Sequence, residues 1–279
     1  TCEHVEGPSN RDVFQVAVRL EGNRWVSGDS KKRTVCLETE AGPNKEMITL
    51  HRRRFNNLIA VAHNTKAFLM WNYRTRVSDN QVGNFHMMGF NGEMTERAEF
   101  HAKMAAALNR HGKLLNNASP VLGKAAVMYD NRVRRGAAIS NSNDWKEYTW
   151  QGALKMLWDV NIPMNGWLPA HGPLDRAECK ILLIPAAEFM DESLAADIRS
   201  YVERGGTVIA ETPFAFKDLR NILHGTVPNF GLDEVFGVQI HDREGKETAP
   251  GILYPDGSAP VYFYWSRLDC VTAKPLLKY

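Results

Sequence analysis

Along the first half of the chain, apolar and polar residues follow two different rhythms. Val13-Phe14-Gln15-Val16-Ala17-Val18-Arg19-Leu20 alternates in the manner of a strand, and Thr34-Val35-Cys36-Leu37-Glu38 is a short apolar run ending on a carboxylate. Gly42-Pro43 breaks the chain, and the spacing of Met47, Leu50, Leu58, Ile59 and Val61 predicts a helix from about Lys45 to His63 with one buried face. A second apolar strand follows from Ala67 to Tyr73. Beyond a polar loop, Thr95 is suited to cap a helix that carries Glu96 in its first turn. Phe100, Met104, Ala107, Leu108, His111 and Leu115 then recur at helical spacing. Residues 34–115 thus predict strand–helix–strand–loop–helix with both strands buried, the grammar of parallel βα units.

Asn116-Asn117-Ala118-Ser119-Pro120 reads as a linker, which sets the expected domains at 1–116 and 117–279. After it the pattern restarts with a strand from Lys124 to Tyr129. Asp144, with Glu147 three residues on, predicts a capped helix running through Leu154 and Trp158. The apolar run Lys180–Pro185 predicts another strand, and Asp191 caps a helix carrying Leu194, Ile198, Tyr201 and Val202. Gly205-Gly206 ends that helix before the strand Thr207–Ala210. This second run predicts a doubly wound α/β domain.

Composition narrows the functional classes. With 44% hydrophobic residues, 24% charged residues and a net charge of +2, the chain has the makeup of a globular protein and no electrostatic preference for nucleic acid or a membrane surface. No apolar run approaches the ~20 residues that span a bilayer. The clusters His51-Arg52-Arg53-Arg54 and Arg132-Val133-Arg134-Arg135 read as solvated faces. The four cysteines include no C-x-x-C pair, so neither a metal site nor a disulfide framework is expected, and Cys36 and Cys179 read as small core residues. The cellular compartment stays open.

Glu38 is the leading candidate for chemistry. It closes a parallel strand just before a Gly-Pro turn, at the end where barrel enzymes carry their reacting groups. A glutamate there, beside Glu40, suits the nucleophile of glycoside hydrolysis, and a solvated or capping carboxylate is the plain alternative. Trp71 and Tyr73 end the next strand, where aromatic faces stack on sugars or simply pack in the core. Arg74 offers a planar fork to hold a carboxylate, and His86 a hydrogen bond to a hydroxyl or a core contact.

Several segments resemble the glycoside hydrolase family 42 β-galactosidases. Leu37-Glu38-Thr39-Glu40-Ala41-Gly42-Pro43-Asn44 is similar to the segment in which that family's nucleophile closes the seventh barrel strand. Trp71-Asn72-Tyr73-Arg74 with Phe85-His86 resembles its aromatic-x-aromatic-Arg stretch and its sugar-binding histidine. Asn91-Gly92-Glu93-Met94-Thr95-Glu96-Arg97 resembles the turn into the eighth barrel helix. Ala125–Asp130, Leu182–Ala186, Tyr201–Val208 and Leu232–Val238 resemble parts of its trimerisation domain.

The resemblance implies the C-terminal portion of a (β/α)8 barrel followed by a flavodoxin-like domain. It implies a retaining β-glycoside hydrolase, without cofactor or metal, in which Glu38 is the nucleophile and Trp71, Tyr73, Arg74 and His86 bind a β-linked oligosaccharide or glycoside. It also implies a homotrimer. Four departures qualify that reading. The family's sugar-binding glutamate, three positions before its histidine, falls on Gly83, which makes a β-mannoside or another β-glycoside a rival substrate. A tryptophan usual soon after the nucleophile is absent, and the loop from Arg74 to His86 is longer than in the family. No Asn-Glu pair, the family's acid/base signature, occurs in the chain. A closed barrel takes ~250 residues, so the acid/base is expected from outside this chain, with a second chain as one possible source. The alternative function is a non-catalytic oligomerisation or carbohydrate-binding chain. At fold level the second half also resembles class I glutamine amidotransferases. Their nucleophile turn corresponds to Ile184-Pro185-Ala186-Ala187-Glu188, which has no Cys or Ser and argues against catalysis there.

Overall fold

The computed structural model describes residues 2–4, 13–26, 34–43, 49–139, 143–175, 178–223, 225–245, 252–254, 257–259 and 264–276. It divides into two units, Thr1–Leu122 and Gly123–Tyr279. In the first, strands β1 (Cys2–His4), β2 (Thr34–Glu40) and β3 (Thr65–Trp71) form a parallel sheet in that order. Parallel neighbours need a crossover, and helices α1 (Val13–Val26) and α2 (Leu50–Ala62) provide it. Helices α3 (Glu96–Arg110) and α4 (Gly112–Asn117) follow β3.

The alternation at Val13–Leu20 is therefore helical, not a strand. Phe14, Val16, Ala17, Val18, Leu20 and Trp25 are all buried, so the crossover helix hides apolar residues over most of its circumference and the local pattern loses its meaning. Val16 and Leu20 meet Ala60, Ile59 and Phe68 in a small core. Beside it, buried Glu21 accepts a hydrogen bond from Arg24 and lies 2.7 Å from His63 Nδ1, which ties α1 to α2.

Helix α2 corrects a second expectation. Residues 45–48 of the expected helix lie outside the described residues, and Thr49 caps it by accepting from Arg52 N at 3.2 Å. Leu58, assigned to the buried face, is 48% exposed. The inward stripe at i, i+4 and i+7 is Arg53, Asn57 and Ala60, so Arg53 leaves the solvated cluster read from the sequence. The sheet is not buried on both sides either. Helices cover the side of Cys36 and Phe68, whereas Leu37 and Leu69 on the strands are 44% and 50% exposed.

The second unit has a four-stranded parallel sheet, in the order β5 (Gly166–Trp167), β4 (Ala125–Met128), β6 (Ile181–Ile184), β7 (Thr207–Ala210). Successive strands add to opposite sides of β4, which is the doubly wound pattern. Between β4 and β5 run α5 (Asn131–Ile139) and α6 (Asn143–Asp159); the first was not expected, and it puts Asp144 inside α6 instead of at its cap. Helix α7 (Glu192–Glu203) is capped as expected, with Asp191 accepting from Leu194 N at 2.8 Å.

The core joins Ala126, Leu182 and Ile184 of the sheet to Leu194, Ile198 and Tyr201 of α7, with Cys179 beneath. Tyr201 donates to the Cys179 carbonyl at 3.2 Å. A Cβ on Gly206 would lie 2.2 Å from the Tyr201 ring, so the turn after α7 admits no larger residue without rearrangement. After α8 (Leu232–Phe236), β8 (Val238–Gly245) pairs antiparallel with β11 (Tyr264–Cys270), and β9 (Ile252–Tyr254) with β10 (Gly257–Ala259). Neither pairing was expected. Trp167 is buried and Trp150, Trp158 and Trp265 are half-buried.

Ile198 is fully buried at the centre of this core. Ile198→Ala is expected to lower the unfolding free energy of the second unit by ~2–5 kcal/mol, through lost transfer energy plus the cavity left behind. Urea denaturation followed by circular dichroism measures it.

Candidate active site

Strand β2 does not keep a two-residue period to its end. Opposite β3, Cys36 pairs with Phe68, but the next paired residues are Thr39 and Met70. Three residues of β2 thus face two of β3, a bulge at Leu37-Glu38. Its effect on side-chain direction is visible in the contact of Cys36 Sγ with Thr39 Oγ1 at 3.0 Å, which regular alternation would have kept apart. Cys36 and Thr39 share the helix-covered side. Glu40 falls beside Trp71 on the other side, and Glu38, two residues before Glu40, shares that side. Without the extra residue, Glu38 would share the side of Cys36 and face the helices.

The segments beyond the strands are fastened to one another by backbone hydrogen bonds. Ala41 N donates to Trp71 O at 2.8 Å and Phe85 N to Pro43 O at 2.6 Å. Asn72 N donates to Phe85 O at 2.7 Å, Met87 N to Asn72 O at 2.8 Å and Met88 N to Tyr73 O at 3.0 Å. These bonds bring the loop that carries His86 against the carboxyl ends of β2 and β3. The approach is so close at Gly42 that a Cβ would sit 1.9 Å from the His86 carbonyl oxygen. Thr95 caps α3 by accepting from Ala98 N at 3.2 Å and donates to Met87 O, which anchors the loop's far end.

Of the residues singled out in the sequence, Glu38 and Trp71 share one side of neighbouring strand ends, and both are half-buried. Trp71 donates from Nε1 to Gln81 at 3.1 Å, and the Arg76 guanidinium lies 5.6 Å from the centre of its ring. Tyr73 is 63% exposed. Among the described residues Arg74 pairs with no carboxylate: its Nη2 donates to Phe90 O at 3.2 Å and its guanidinium lies against Gly92. His86 is buried, its ring 4.9 Å from that of Phe90, and its Nδ1 has no partner among the described residues. Gly83 has φ +82° and open space around its Cβ position.

Sequence reading missed two side chains that meet the turn after Glu38. Arg53 donates from Nη1 to Glu40 O at 2.6 Å and from Nη2 to Gly42 O. His101 Nε2 lies 3.3 Å from Ala41 O. Burial pulls the Arg53 pKa down, opposed by the charge of Glu40. Burial also lowers the His101 pKa from the ordinary 6.5, and the hydrogen bond to Ala41 opposes the shift. The available signal for Arg53 was its spacing from Ala60, which fits the inward stripe of α2. His101 adjoins Phe100 on a helix whose buried residues are Ala98, Phe100 and His101.

In the second unit, the turn after β6 has φ +39° at Ala186 and presents no nucleophile. Buried Glu188 nearby lies 3.1 Å from Lys217 Nζ and 3.6 Å from Arg243. Among the described residues no group of His, Cys, Asp and Glu is arranged to hold a metal, and no helix is long and apolar enough to cross a membrane.

Two measurements probe this arrangement. Gly42→Ala drives a Cβ into the His86 backbone and is expected to destabilise the first unit by more than ~1 kcal/mol, read as a fall in its unfolding free energy. His101 stays neutral in the fold to lower pH than in the unfolded chain. Below about pH 6.5 the unfolded state therefore binds more protons and stability falls as pH falls. His101→Gln is expected to remove that part of the acid sensitivity, seen as a shallower decline of melting temperature between pH 6.5 and 5.

No protein-family model and no curated protein matches this chain. Solved structures do. The β-galactosidase from Bacillus circulans sp. alkalophilus superposes with a TM-score of 0.85 at 18% identity, over 97% of this chain and 42% of that one. A catalytic mutant of a GH42 β-galactosidase from G. stearothermophilus gives 0.79 at 15% identity, over 96% and 41%. An exo-β-1,4-mannosidase from Opitutaceae bacterium strain TAV5 gives 0.67 at 14%, over 98% and 48%. The chain thus spans about two fifths of the length of the β-galactosidases it matches. Over nearly all of its own length, it has the fold of part of a GH42 β-galactosidase.

Proposed function

We propose that this chain is part of a retaining β-glycoside hydrolase in which Glu38 is the nucleophile. The observation that carries the reading is the bulge in β2, which turns Glu38 away from the helices and onto the side of Trp71, at the carboxyl end of a parallel strand. The shared fold with β-galactosidases supports it. In this reading residues 1–116 form the C-terminal βα units of a (β/α)8 barrel and 117–279 a flavodoxin-like trimerisation domain.

The chemistry follows from the residue type. The Glu38 carboxylate attacks the anomeric carbon as the glycosidic C–O bond breaks. A second carboxyl group, supplied from outside this chain and ~5–5.5 Å away, gives its proton to the leaving oxygen. The same group then takes a proton from water, which releases the sugar from its ester with Glu38. Trp71 and Tyr73 stack on the sugar. His86 contributes through the wall of the pocket, because its ring is buried.

The reading leaves two substrate classes, a β-galactoside and a β-mannoside, and Gly83 bears on the choice. The position where family 42 supplies a carboxylate to the sugar has no side chain here, and open space surrounds it. A β-mannoside is the second reading, supported by the same feature and by the fold shared with a mannosidase.

A 2-fluoro glycoside is expected to label Glu38 covalently, located by peptide mass spectrometry; a label on another residue refutes the assignment. Glu38→Gln is expected to lower turnover by several orders of magnitude, since an amide is a poor nucleophile. Without a carboxylate at Gly83, preference for galactosides should weaken by ~1–3 kcal/mol, measured as the ratio of kcat/KM between galacto- and manno-substrates. The proposed trimer is read by mass photometry, where a stable monomer at micromolar concentration speaks against it.

A further inference from the structure

We infer that Arg53 and His101 are positioning residues that clamp the Glu40-Ala41-Gly42 turn and through it aim Glu38. The inference rests on Glu38 being the nucleophile. Three consecutive carbonyls leave β2, and each meets a buried side chain from the helices. Glu40 O and Gly42 O accept from the two Nη atoms of Arg53, while His101 Nε2 lies at Ala41 O. The turn is also held from the other side, since Ala41 N donates to Trp71 O and Gly42 abuts the His86 backbone. One residue, Thr39, separates Glu38 from the first clamped carbonyl.

The type of residue chosen argues for geometry over simple stability. Arg53 and His101 are each 5% exposed, and Arg53 occupies the inward stripe of α2, where an apolar residue would bury itself without loss of hydration. Arg97 adds like charge close to both. A guanidinium is suited to this place because its fork spans two carbonyls at fixed separation, which a flexible ammonium does not. Holding a reacting group within about half an ångström requires such rigid support, and a displacement of ~1 Å can cost 10²-fold in rate.

The test uses the complete protein with Arg53→Met and Arg53→Lys. Arg53→Met is expected to slow 2-fluoro glycoside labelling of Glu38, and kcat, by ~10²-fold while KM changes little. Amide exchange should quicken at residues 39–42, the Ala41 amide above all, with the rest of the first unit unchanged. Arg53→Lys, which reaches one carbonyl, should recover part of the rate. Normal labelling by Arg53→Met, or exchange that quickens evenly across the unit, overturns the clamp. If the wild-type protein takes its label elsewhere while Arg53→Met still loosens 39–42, the clamp stands and the nucleophile assignment fails. Should Arg53→Met not fold, His101→Leu tests the same clamp from α3: local loosening at Ala41 supports it, and unchanged exchange overturns it.

Discussion

Side chains of a strand alternate strictly, so one added residue reverses every direction downstream of it. That constraint governs the first unit. The helices α1, α2 and α3 need Cys36, Phe68 and Met70 on their side of the sheet, and a regular β2 would then have sent Glu38 toward them as well. The extra residue at Leu37-Glu38 satisfies the packing of Cys36 and Thr39 on one side and delivers two carboxylates, Glu38 and Glu40, to the other. The same side carries exposed Leu37 and Leu69, so the glutamates stand at the rim of an apolar surface.

A bulge alone leaves a strand end loose, because carbonyls beyond the last paired residue lack partners. Here each is met. The turn after β2 draws on Arg53 and His101 from behind, and the long loop before α3 is tied to both strand ends by its own backbone. Glycine at position 42 permits this, since any side chain there would occupy the space of the His86 carbonyl. The strand ends and the loop are thus joined in a hydrogen-bonded network of main chain, with a few side chains projecting from it.

The second unit follows a different logic. Its sheet is doubly wound, and the carboxyl ends of β4 and β6 are occupied by ion pairs. Arg132 bridges Asp130 at 2.8 Å and Asp191 at 2.5 Å, and Lys217 meets buried Glu188. A Cβ on Gly136 would lie 2.3 Å from the Phe189 ring, so α5 lies tight against the turn after β6. Charges that neutralise one another, beside a filled contact, cross-brace that end of the sheet.

Much of this was legible in the residue order. The runs at Thr34, Ala67, Lys124, Lys180 and Thr207 became strands, and Thr95 and Asp191 became caps, because strand runs and helix caps depend on neighbours in sequence. Glu38 could be singled out for the same reason: it ends an apolar run before Gly-Pro. Tertiary structure decided the rest. Val13–Leu20 is helical because two parallel strands must be joined across a sheet, and Arg53 and Arg132 turn inward because carbonyls and carboxylates distant in sequence await them. Arg74 turns to the Phe90 carbonyl, and the His86 backbone lies against Gly42. The bulge that directs Glu38 is a mismatch between two strands, and one strand's sequence holds no record of its partner's register.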